Sequence, residues 1–385
     1  MDKDKRISNA EMRKPAEIIG ILDPIVKEWF FNKFENFSDS QLYGVMPVYE
    51  RKNILISAPT GSGKTLTSFL SILNYLVILG RKNELENKVY CIYSSPLKAL
   101  NNDIYVNLIT PLKEIYELAE KKGIEIQKIH IGLRTGDTKS SEKAKMLKNP
   151  PHIFITTPES LAIVLTTKKF IELFYGVEFL IIDEIHSLGN KRGVYLSISL
   201  ERLDDISKIT PVRIGLSATI APLNKIANFL VGMNRECMIA EVETRKKMDI
   251  EVLTGIENLM DTNIYELNSS LYGIIDKLIQ SHKTSVIFTN TRSATERVIH
   301  HLKEMFPENY AEVDGEEIIG AHHSSLSKEH RFQIEEKLRN GKLKVVATST
   351  SLELGIDIGY IDLVILLGSP KSSARALQRI GRAGH

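Results

Sequence analysis

A loop of small residues that ends in lysine and threonine is the part of the sequence best suited to chemistry. APTGSGKT occupies 58–65, directly after the apolar run ILI at 54–56. Backbone N–H groups of such a loop turn inward around a β-phosphate, Lys64 supplies charge for the β- and γ-phosphate oxygens, and the Thr65 hydroxyl can ligate Mg²⁺. The loop departs from the general pattern at Ala58, where glycine is usual. The predicted phosphate-binding residues are Thr60, Gly61, Ser62, Gly63, Lys64 and Thr65.

A pair of acidic residues gives the second nucleotide signal. In FLIIDEIHSL, residues 179–188, an apolar strand ends at Asp183. Its carboxylate is then expected beside the phosphate loop of a neighbouring strand, where it can hold Mg²⁺ through water. Glu184 can orient the attacking water, since phosphoryl transfer depends on a positioned nucleophile. His186 taken alone is more often a solvated or core histidine than a catalytic one. The loop and the acidic pair together predict hydrolysis of a nucleoside triphosphate.

The elements that must position these residues follow the order strand, loop, helix. After the loop, apolar residues recur at helical spacing, at Leu66, Phe69, Leu70, Leu73, Leu76 and Val77. Elsewhere short apolar runs alternate with helical patterns. The runs form two series of predicted strands, 89–94, 153–157, 179–183 and 213–217, then 284–289, 318–322, 344–348 and 363–368. Apolar runs of this kind are typical of a parallel sheet covered by helices on both faces.

The two series indicate two domains. Between them, residues 235–264 lose clear periodicity and are rich in charge, as a connection between domains would be. A chain of 385 residues is also long enough for two separate cores. We therefore predict an α/β fold with two tandem domains, 1–240 and 241–385, each a mostly parallel sheet covered by helices.

Composition excludes few functions. The chain is 43% hydrophobic and 25% charged, which is ordinary for a globular protein. Lys and Arg number 50 against 48 Asp and Glu, a net charge of +2, so any basic nucleic-acid track must be local. Cys91 and Cys237 form no pairing motif and suggest a reducing compartment without a zinc site. The polar N-terminus and the lack of a long apolar run predict a cytoplasmic protein without a membrane span.

Motifs in sequence order resemble those of superfamily 2 helicases. They are APTGSGKT at 58–65, SPLKALNND at 95–103, TTPESL at 156–161, DEIH at 183–186, SAT at 217–219, GIDIG at 355–359 and QRIGRAGH at 378–385. The stretch DEIHSLGNKRGVYLSISLERL and the closing GRAGH are more similar to the large helicase-related (Lhr-type) branch than to DEAD-box proteins. The resemblance implies two RecA-like domains with ATP in the cleft between them, and movement along one nucleic-acid strand from 3′ to 5′.

The resemblance also implies roles for further nucleotide-site residues. Gln41 resembles the glutamine that reads adenine, although a solvated polar residue is an equally good interpretation of it. Asp357 resembles the acid that binds the ribose hydroxyls, and Gly355 would permit close backbone approach, as would Gly359. The DEIH box adds His186 to the catalytic residues, and Ser217 and Thr219 of SAT would hydrogen-bond back toward it.

Two arginines of the closing motif complete the implied catalytic set. Arg379 and Arg382 are three residues apart, so one helical turn would place both on one face. The family pattern implies that they reach the γ-phosphate across the cleft as arginine fingers.

The implied nucleic-acid track comes from loops that follow predicted strands. Small hydroxyls, backbone N–H groups and single basic side chains suit phosphate contacts, which carry no base information. Taken singly, each loop is more often an ordinary polar connection, but the recurrence of such loops at matching strand ends in both domains favours a nucleic-acid track. The expected contacts are Pro96, Lys98, Ala99, Arg134, Gly136, Thr157, Pro158, Thr289, Asn290 and Arg292.

Several alternatives remain open. A transporter or signalling ATPase would share the phosphate loop and DEIH, but it has no need of the paired arginines. A non-unwinding translocase or clamp, and a DEAD-box-like local RNA unwinder, also fit the motifs. The preference among DNA, RNA and hybrid is not set by phosphate contacts. Because the resembled sheet normally continues beyond QRIGRAGH, we expect the second domain to be truncated and further C-terminal domains to belong to the same protein.

Overall fold

The computed structural model describes residues 6–59, 62–95, 104–188, 191–218, 222–242, 249–256, 263–313, 315–353 and 359–384. Its strands are β1 Ile7–Asn9, β2 Ile54–Ser57, β3 Cys91–Ser94, β4 Ile131–Arg134, β5 Ile153–Thr156, β6 Phe179–Ile182, β7 Val212–Ser217, β8 Cys237–Glu241, β9 Ser285–Phe288, β10 Ile319–His322, β11 Val345–Thr348 and β12 Leu363–Leu366. Its α-helices are α1 Pro15–Ile21, α2 Pro24–Lys33, α3 Asp39–Tyr49, α4 Lys64–Arg81, α5 Thr110–Lys121, α6 Ser140–Lys148, α7 Pro158–Val164, α8 Lys168–Ile171, α9 Lys191–Ile206, α10 Leu223–Val231, α11 Ile264–Gln280, α12 Arg292–Met305, α13 Lys328–Arg339 and α14 Ser373–Ile380. A π-helix, Tyr105–Ile109, and the 3₁₀-helices Glu172–Phe174 and Ile185–Leu188 are also present.

The chain divides into two compact units, residues 1–244 and 245–385. The first is built on an eight-stranded sheet in the order β1-β8-β2-β7-β6-β3-β5-β4. All of its neighbouring strands are parallel, which requires crossover connections and places helices on the faces of the sheet. The predicted α/β fold with parallel sheets is confirmed.

Strand β2 shows how both faces of this sheet are buried. Ile54 and Ile56 belong to one apolar cluster together with Phe69 of α4. Leu55, which points to the opposite face, packs in a second cluster with Leu230 of α10. Since β2 leads into the phosphate loop, this two-sided packing fixes where the loop begins.

The predicted sequence of strand, loop and helix is confirmed around the phosphate loop. Helix α4 follows the loop, with Gly63 as its N-cap in the left-handed region at φ 79° and ψ 17°. The predicted apolar positions are all buried, at Leu66, Phe69, Leu70, Leu73, Leu76 and Val77. Glycine adopts this backbone conformation without steric cost, whereas a residue with Cβ is strained there.

The second unit contains a four-stranded parallel sheet in the order β10-β11-β9-β12. Its described core joins Ile287 of β9 and Val345 of β11 to Val298 of α12. In the described ranges of both units, the helices lack the combination of length and apolar character that a bilayer crossing requires.

All eight strands of the two predicted series are present, with ends that differ by at most two residues, but the predicted connection is partly wrong. Residues 237–241 of that segment form β8, which lies in the first sheet between β1 and β2 with Met238 opposite Ile54. The run CMIAE is short and flanked by charged residues, so periodicity alone could not distinguish it from a loop. Pairing with two neighbouring strands stabilises it as a strand. Strands β1 and β4 were not predicted either.

Candidate nucleotide-binding and hydrolysis site

Three adjacent strands carry the candidate site at one edge of the first sheet. Strand β2 leads into the phosphate loop, β6 leads into Asp183, and β7 ends at Ser217. Because β7 lies between β2 and β6, the expectation that the acidic strand directly neighbours the loop strand is wrong. The three strands nevertheless end at the same carboxyl edge, where ligands of open α/β sheets bind. Ala58 N donates to Ser217 O at 3.1 Å and ties the start of the loop to this edge.

The phosphate loop is held by its own hydrogen bonds. Ser62 Oγ donates to Pro59 O at 2.8 Å, and Ser40 Oγ of α3 donates to Ser62 O at 2.9 Å. Lys64 Nζ donates to Ala58 O at 2.7 Å and to Pro59 O at 2.6 Å, so the ammonium group lies at the mouth of the loop. Thr65 is the second residue of α4. Thr60 and Gly61 lie outside the described residues.

Gln41 is buried beside this loop. It is 4% exposed, so its interpretation as a solvated residue is wrong. Its Oε1 accepts from Ser38 N at 2.8 Å at the start of α3. A Cβ built on Gly63 would lie 4.0 Å from Gln41 Nε2. The carboxamide therefore lies next to the phosphate loop with its amide nitrogen toward it.

Asp183 is buried at the carboxyl end of β6 and is held by two donors. The Tyr93 hydroxyl donates a short hydrogen bond to Oδ2, and Glu184 N donates to Oδ1 at 2.8 Å. Burial, followed by the charge of Glu184, raises the pKa of Asp183 to about 6, against the lowering effect of the Tyr93 hydrogen bond. A buried carboxylate that is costly to charge is well suited to a site that supplies a cation.

Glu184 adopts a strained backbone conformation beside it. Its φ is +49°, which few residues other than glycine adopt. Its Oε2 lies 3.2 Å from His186 Nε2. Strain of this kind persists only where the surroundings over-determine it, and it is concentrated at functional sites.

His186 joins Glu184 to the end of β7. Its Nδ1 accepts from Ala218 N at 3.2 Å and lies 3.3 Å from Ser217 Oγ, which confirms the expected bond from the SAT segment. Burial, followed by the charge of Lys64, lowers the pKa of His186 to about 4, so the ring is neutral at pH 7. Because Nδ1 accepts, we assign the ring proton to Nε2, which faces Glu184 Oε2. Thr219 lies outside the described residues.

The two arginines of the closing motif converge on Glu353 in the second unit. Arg379 Nη2 lies 3.5 Å from Glu353 Oε2, and Arg382 Nη2 donates to Glu353 O at 3.2 Å. Both arginines are buried, at 1% and 5% exposed. The expectation that they share a helix is wrong, because α14 ends at Ile380 and Arg382 follows in a turn. Gly355 and Asp357 lie outside the described residues.

Two expected nucleic-acid loops of the first unit are neighbours. Arg134 ends β4 and is paired with Thr156 of β5, whose Oγ1 donates to Arg134 O at 2.8 Å. Thr157 follows and caps α7 by accepting from Ser160 N at 3.3 Å, while Pro158 is buried at the first position of that helix. Thr157 is buried as well, and its hydroxyl also donates to Ser160 Oγ at 3.2 Å.

The loop that contains Gly136 is more open. A Cβ on Gly136 would meet nothing within 4 Å. Pro96, Lys98 and Ala99 lie outside the described residues.

In the second unit, the residues after β9 differ in burial and in hydrogen-bond partners. Thr289 is buried, and its hydroxyl bonds Thr295 Oγ1 at 2.8 Å and donates to Thr291 O at 3.0 Å. The hydroxyl therefore supports the loop from inside, and the expected contact of Thr289 with nucleic acid stays a prediction. Asn290 Nδ2 donates to Ser369 O, and the exposed Arg292 donates to Ser325 Oγ at 2.7 Å.

Sequence reasoning missed two side chains of these sites. Tyr93 lies in an apolar strand, and Glu353 lies two residues before the GIDIG motif, so neither stands out in the sequence. Both are recognisable only from their partners, Asp183 and the two arginines. The sequence signal for Glu353 is its position four residues before Asp357. The other residues of this segment, LELGIDIG, are apolar or glycine.

Comparison with known proteins shows the family of this chain. The DEAD/DEAH box helicase model matches residues 38–226, and the helicase conserved C-terminal domain model matches residues 266–385. The chain is 54% identical over 96% of its length to the ATP-dependent helicase Lhr-Core of Methanocaldococcus jannaschii. The chain belongs to the Lhr-type ATP-dependent helicases. It spans 43% of the length of that relative, and the same share of the Methanothermobacter thermautotrophicus Lhr-Core helicase, to which it is 53% identical over 97% of this chain.

A solved Lhr-type structure shares the fold. The helicase Lhr of Mycobacterium smegmatis, bound to ssDNA and AMP-PNP, matches with a TM-score of 0.81 and 38% identity. The match covers 95% of this chain and 46% of that one. The tandem RecA-like architecture expected of the Lhr-type chain is thereby confirmed.

Proposed function

We propose that these residues form the ATP-hydrolysing motor of an Lhr-type helicase, which couples hydrolysis to movement along one nucleic-acid strand from 3′ to 5′. The observation that supports it most is the convergence of the phosphate loop, the acidic pair and the end of β7 at one edge of the first sheet. A Gly-rich turn without a functional role would not be accompanied by a strained glutamate whose carboxylate lies 3.2 Å from a buried neutral histidine.

The residues present fit ATP and Mg²⁺. Gly63 provides the left-handed turn at the head of α4, and Lys64 brings a cation to the loop. Asp183, together with the hydroxyl of Thr65, provides the hard oxygen ligands that Mg²⁺ prefers. Mg²⁺ would neutralise charge that develops on the phosphate oxygens. Gln41 would bind the base next to this loop.

Hydrolysis in this proposal depends on Glu184. His186 Nε2 lies 3.2 Å from Glu184 Oε2 and restricts that side of the carboxylate, which leaves the other oxygen to orient water. Arg379 and Arg382 would stabilise charge on the transferred phosphate, and Glu353 would hold their guanidinium groups in place. Through their contacts with each other and with Glu184, His186 and Ser217 would transmit the change from ATP to ADP to the segment after β7.

Nucleic-acid contacts are proposed for both units through phosphate groups. In the first unit Arg134 and the open turn at Gly136 are best placed, and in the second Asn290 and Arg292 are. Single basic and amide side chains of this kind bind phosphates without reading bases. The Mycobacterium smegmatis relative bound to ssDNA supports a single-stranded partner. We further propose a cytoplasmic location, consistent with two buried free cysteines.

ATPase assays test this proposal directly. Turnover is measured alone and with ssDNA, ssRNA or an RNA–DNA hybrid, each at several salt concentrations, because phosphate contacts make stimulation weaken as salt rises. A transporter or signalling ATPase would show no stimulation. Strand displacement from duplexes with a 3′ or a 5′ tail then tests polarity, and stimulated hydrolysis without displacement would indicate a non-unwinding translocase.

A further inference from the structure

The side chain of Tyr93 makes a contact with the acidic pair that the proposed hydrolysis does not use. Tyr93 lies on β3, which is the neighbour of β6 on the side away from β7. It is 1% exposed, and its hydroxyl donates to Asp183 Oδ2. The backbone reinforces the junction, since Asp183 N donates to Ser94 O at 2.8 Å.

The ring of Tyr93 is fixed as firmly as its hydroxyl. It stacks on Phe69 with ring centroids 5.3 Å apart and an interplanar angle of 30°. Phe69 is fully buried on α4, the helix that begins at the phosphate loop. A rotation of the tyrosine would therefore disturb the packing of α4, and the position of the hydroxyl is set by two elements at once.

The carboxylate of Asp183 is thereby oriented from two directions. Oδ2 accepts from the tyrosine hydroxyl and Oδ1 accepts from Glu184 N. An ionised carboxylate has about four acceptor positions, so each oxygen keeps one for another ligand. Outer partners that orient a ligating carboxylate typically contribute about 10- to 100-fold in metal affinity or activity.

We propose that Tyr93 is a positioning residue, whose hydroxyl holds the Asp183 carboxylate in the orientation that binds the divalent cation of the nucleotide. The inference rests on the proposed function, because it needs Asp183 to serve the cation. An ordinary core tyrosine would fill space and satisfy its hydroxyl, and its loss would change stability without changing cation dependence.

The test compares Tyr93→Phe with Tyr90→Phe in this chain. Tyr90 is a matched control, since it is also buried, lies one residue before β3, and uses its hydroxyl to accept from Glu86 N at 2.9 Å, away from Asp183. A fluorescent ATP analogue is titrated in EDTA and in increasing MgCl₂, and melting temperatures are recorded. We expect Tyr93→Phe to raise the half-saturating Mg²⁺ concentration about 10- to 100-fold with binding in EDTA unchanged. Tyr90→Phe should leave both unchanged.

A third variant separates this inference from the proposed function. Asp183→Asn should shift the Mg²⁺ dependence at least as far, and adding Tyr93→Phe to it should produce no further shift, since the tyrosine acts through the aspartate. A normal Mg²⁺ dependence in Tyr93→Phe, or an equal shift in Tyr90→Phe, overturns the role of Tyr93. An unchanged Mg²⁺ dependence in Asp183→Asn overturns the cation site itself, and with it the proposed function.

Discussion

At the residue scale, a hydrogen bond and a close polar contact through His186 join the end of β7 to the proposed water-orienting carboxylate. Ala218 N donates to His186 Nδ1, and His186 Nε2 then faces Glu184 Oε2 at 3.2 Å. A protonated histidine could not accept from Ala218, so this arrangement requires the neutral ring. The lowered pKa of His186, which results mainly from burial, maintains that state at neutral pH.

Glu184→Gln should abolish hydrolysis while leaving ATP binding within a few-fold of normal. The amide keeps the size of the side chain but removes the negative charge that orients water. Single-turnover ATPase and analogue-binding assays measure the two effects separately. Glu172→Gln, at an exposed glutamate on the same unit, is the control and should behave as the unmodified chain does. Normal turnover in Glu184→Gln would show that another group orients the water.

The neutral histidine predicts a pH dependence of stability. His186 has a folded pKa of about 4, below the value of about 6.5 for an unfolded histidine. The unfolded chain therefore binds more protons between these values, so the stabilising contribution is complete above pH 6.5 and is lost as pH falls toward 4. His186→Gln should flatten that part of the curve by up to roughly 3 kcal/mol, measured by urea unfolding at each pH.

A second histidine supplies the control for this experiment. His152 also has a pKa lowered to about 4, by burial and then by His130, and it lies before β5, away from the acidic pair. His152→Gln should flatten the same part of the stability curve but keep normal ATPase activity. His186→Gln should lower turnover as well. Equal ATPase activity in the two variants would contradict a functional link through His186.

The residue types in the phosphate loop and in DEIH were enough to propose the lysine and the acidic pair as site residues, because few residue types can bind phosphate or Mg²⁺. Tyr93 was beyond such reasoning. A tyrosine in the strand CIYS reads as core, and only the pairing of β3 with β6 brings its hydroxyl to Asp183.

At the element scale, close packing of α3 against α4 positions Gln41 beside the phosphate loop. Gly44 of α3 allows the contact, since a Cβ there would meet Thr67 Cγ2 at 2.6 Å and Ile56 Cδ1 at 2.8 Å. Both atoms are buried, so neither can move away cheaply.

Gly44→Ala should therefore destabilise the protein by about 1–3 kcal/mol through overpacking. Because α3 carries Gln41, affinity for adenine nucleotides should fall more than affinity for a phosphate-only ligand such as tripolyphosphate. Gly20→Ala in α1 is the matched control, since a Cβ there meets nothing within 4 Å. It should be neutral or stabilising by up to ~1 kcal/mol, from helix propensity. Equal stability of the two variants in urea unfolding would refute the packing argument.

The pairing of α14 with Glu353 predicts two separable effects of Arg379. Arg379→Ala removes a cation 3.5 Å from the buried Glu353 carboxylate, while Arg375 Nε remains at 3.6 Å, and it should cost about 1–3 kcal/mol of stability. It should also slow turnover, by about 10³- to 10⁵-fold if the guanidinium acts on the transferred phosphate. Combining Arg379→Gln with Glu353→Gln removes both charges, so stability should largely return while turnover stays low. Recovery of turnover together with stability would assign Arg379 a structural role alone.

Helices and strands were predictable where their own residues show a clear apolar periodicity. They were not predictable where contacts with other elements determine the structure. The apolar stripe from Leu66 to Val77 identified α4 without help. Strand β8 is stabilised by β1 and β2, whose positions a one-dimensional pattern does not contain. Helix α14 ends at Ile380 with Gly381 as its C-cap, earlier than the arginine spacing suggested, so Arg382 reaches the Glu353 carbonyl from a turn.

At the scale of the whole molecule, the chain spans 43% of the length of its Lhr-Core relatives. The basic side chains proposed to contact nucleic acid in the described parts of the two units are Arg134 and Arg292. Phosphate contacts of this number give weak, salt-sensitive binding. The affinity of these residues by themselves for a nucleic-acid strand is thus expected to be low.

We therefore expect the 385 residues alone to bind ATP and to show at most weak stimulation of hydrolysis by nucleic acid, without processive unwinding. Unwinding needs firm binding of one strand through many cycles of hydrolysis, and also a surface that separates the two strands of the duplex. The proposed contacts provide only the strand binding, and this binding is weak. The measurement is displacement from a forked duplex with a 3′ tail at low salt. This chain is compared with the full-length Methanocaldococcus jannaschii relative, at concentrations adjusted to equal ATPase activity. Equal and processive displacement by both would place the strand-separating element within the two units described here.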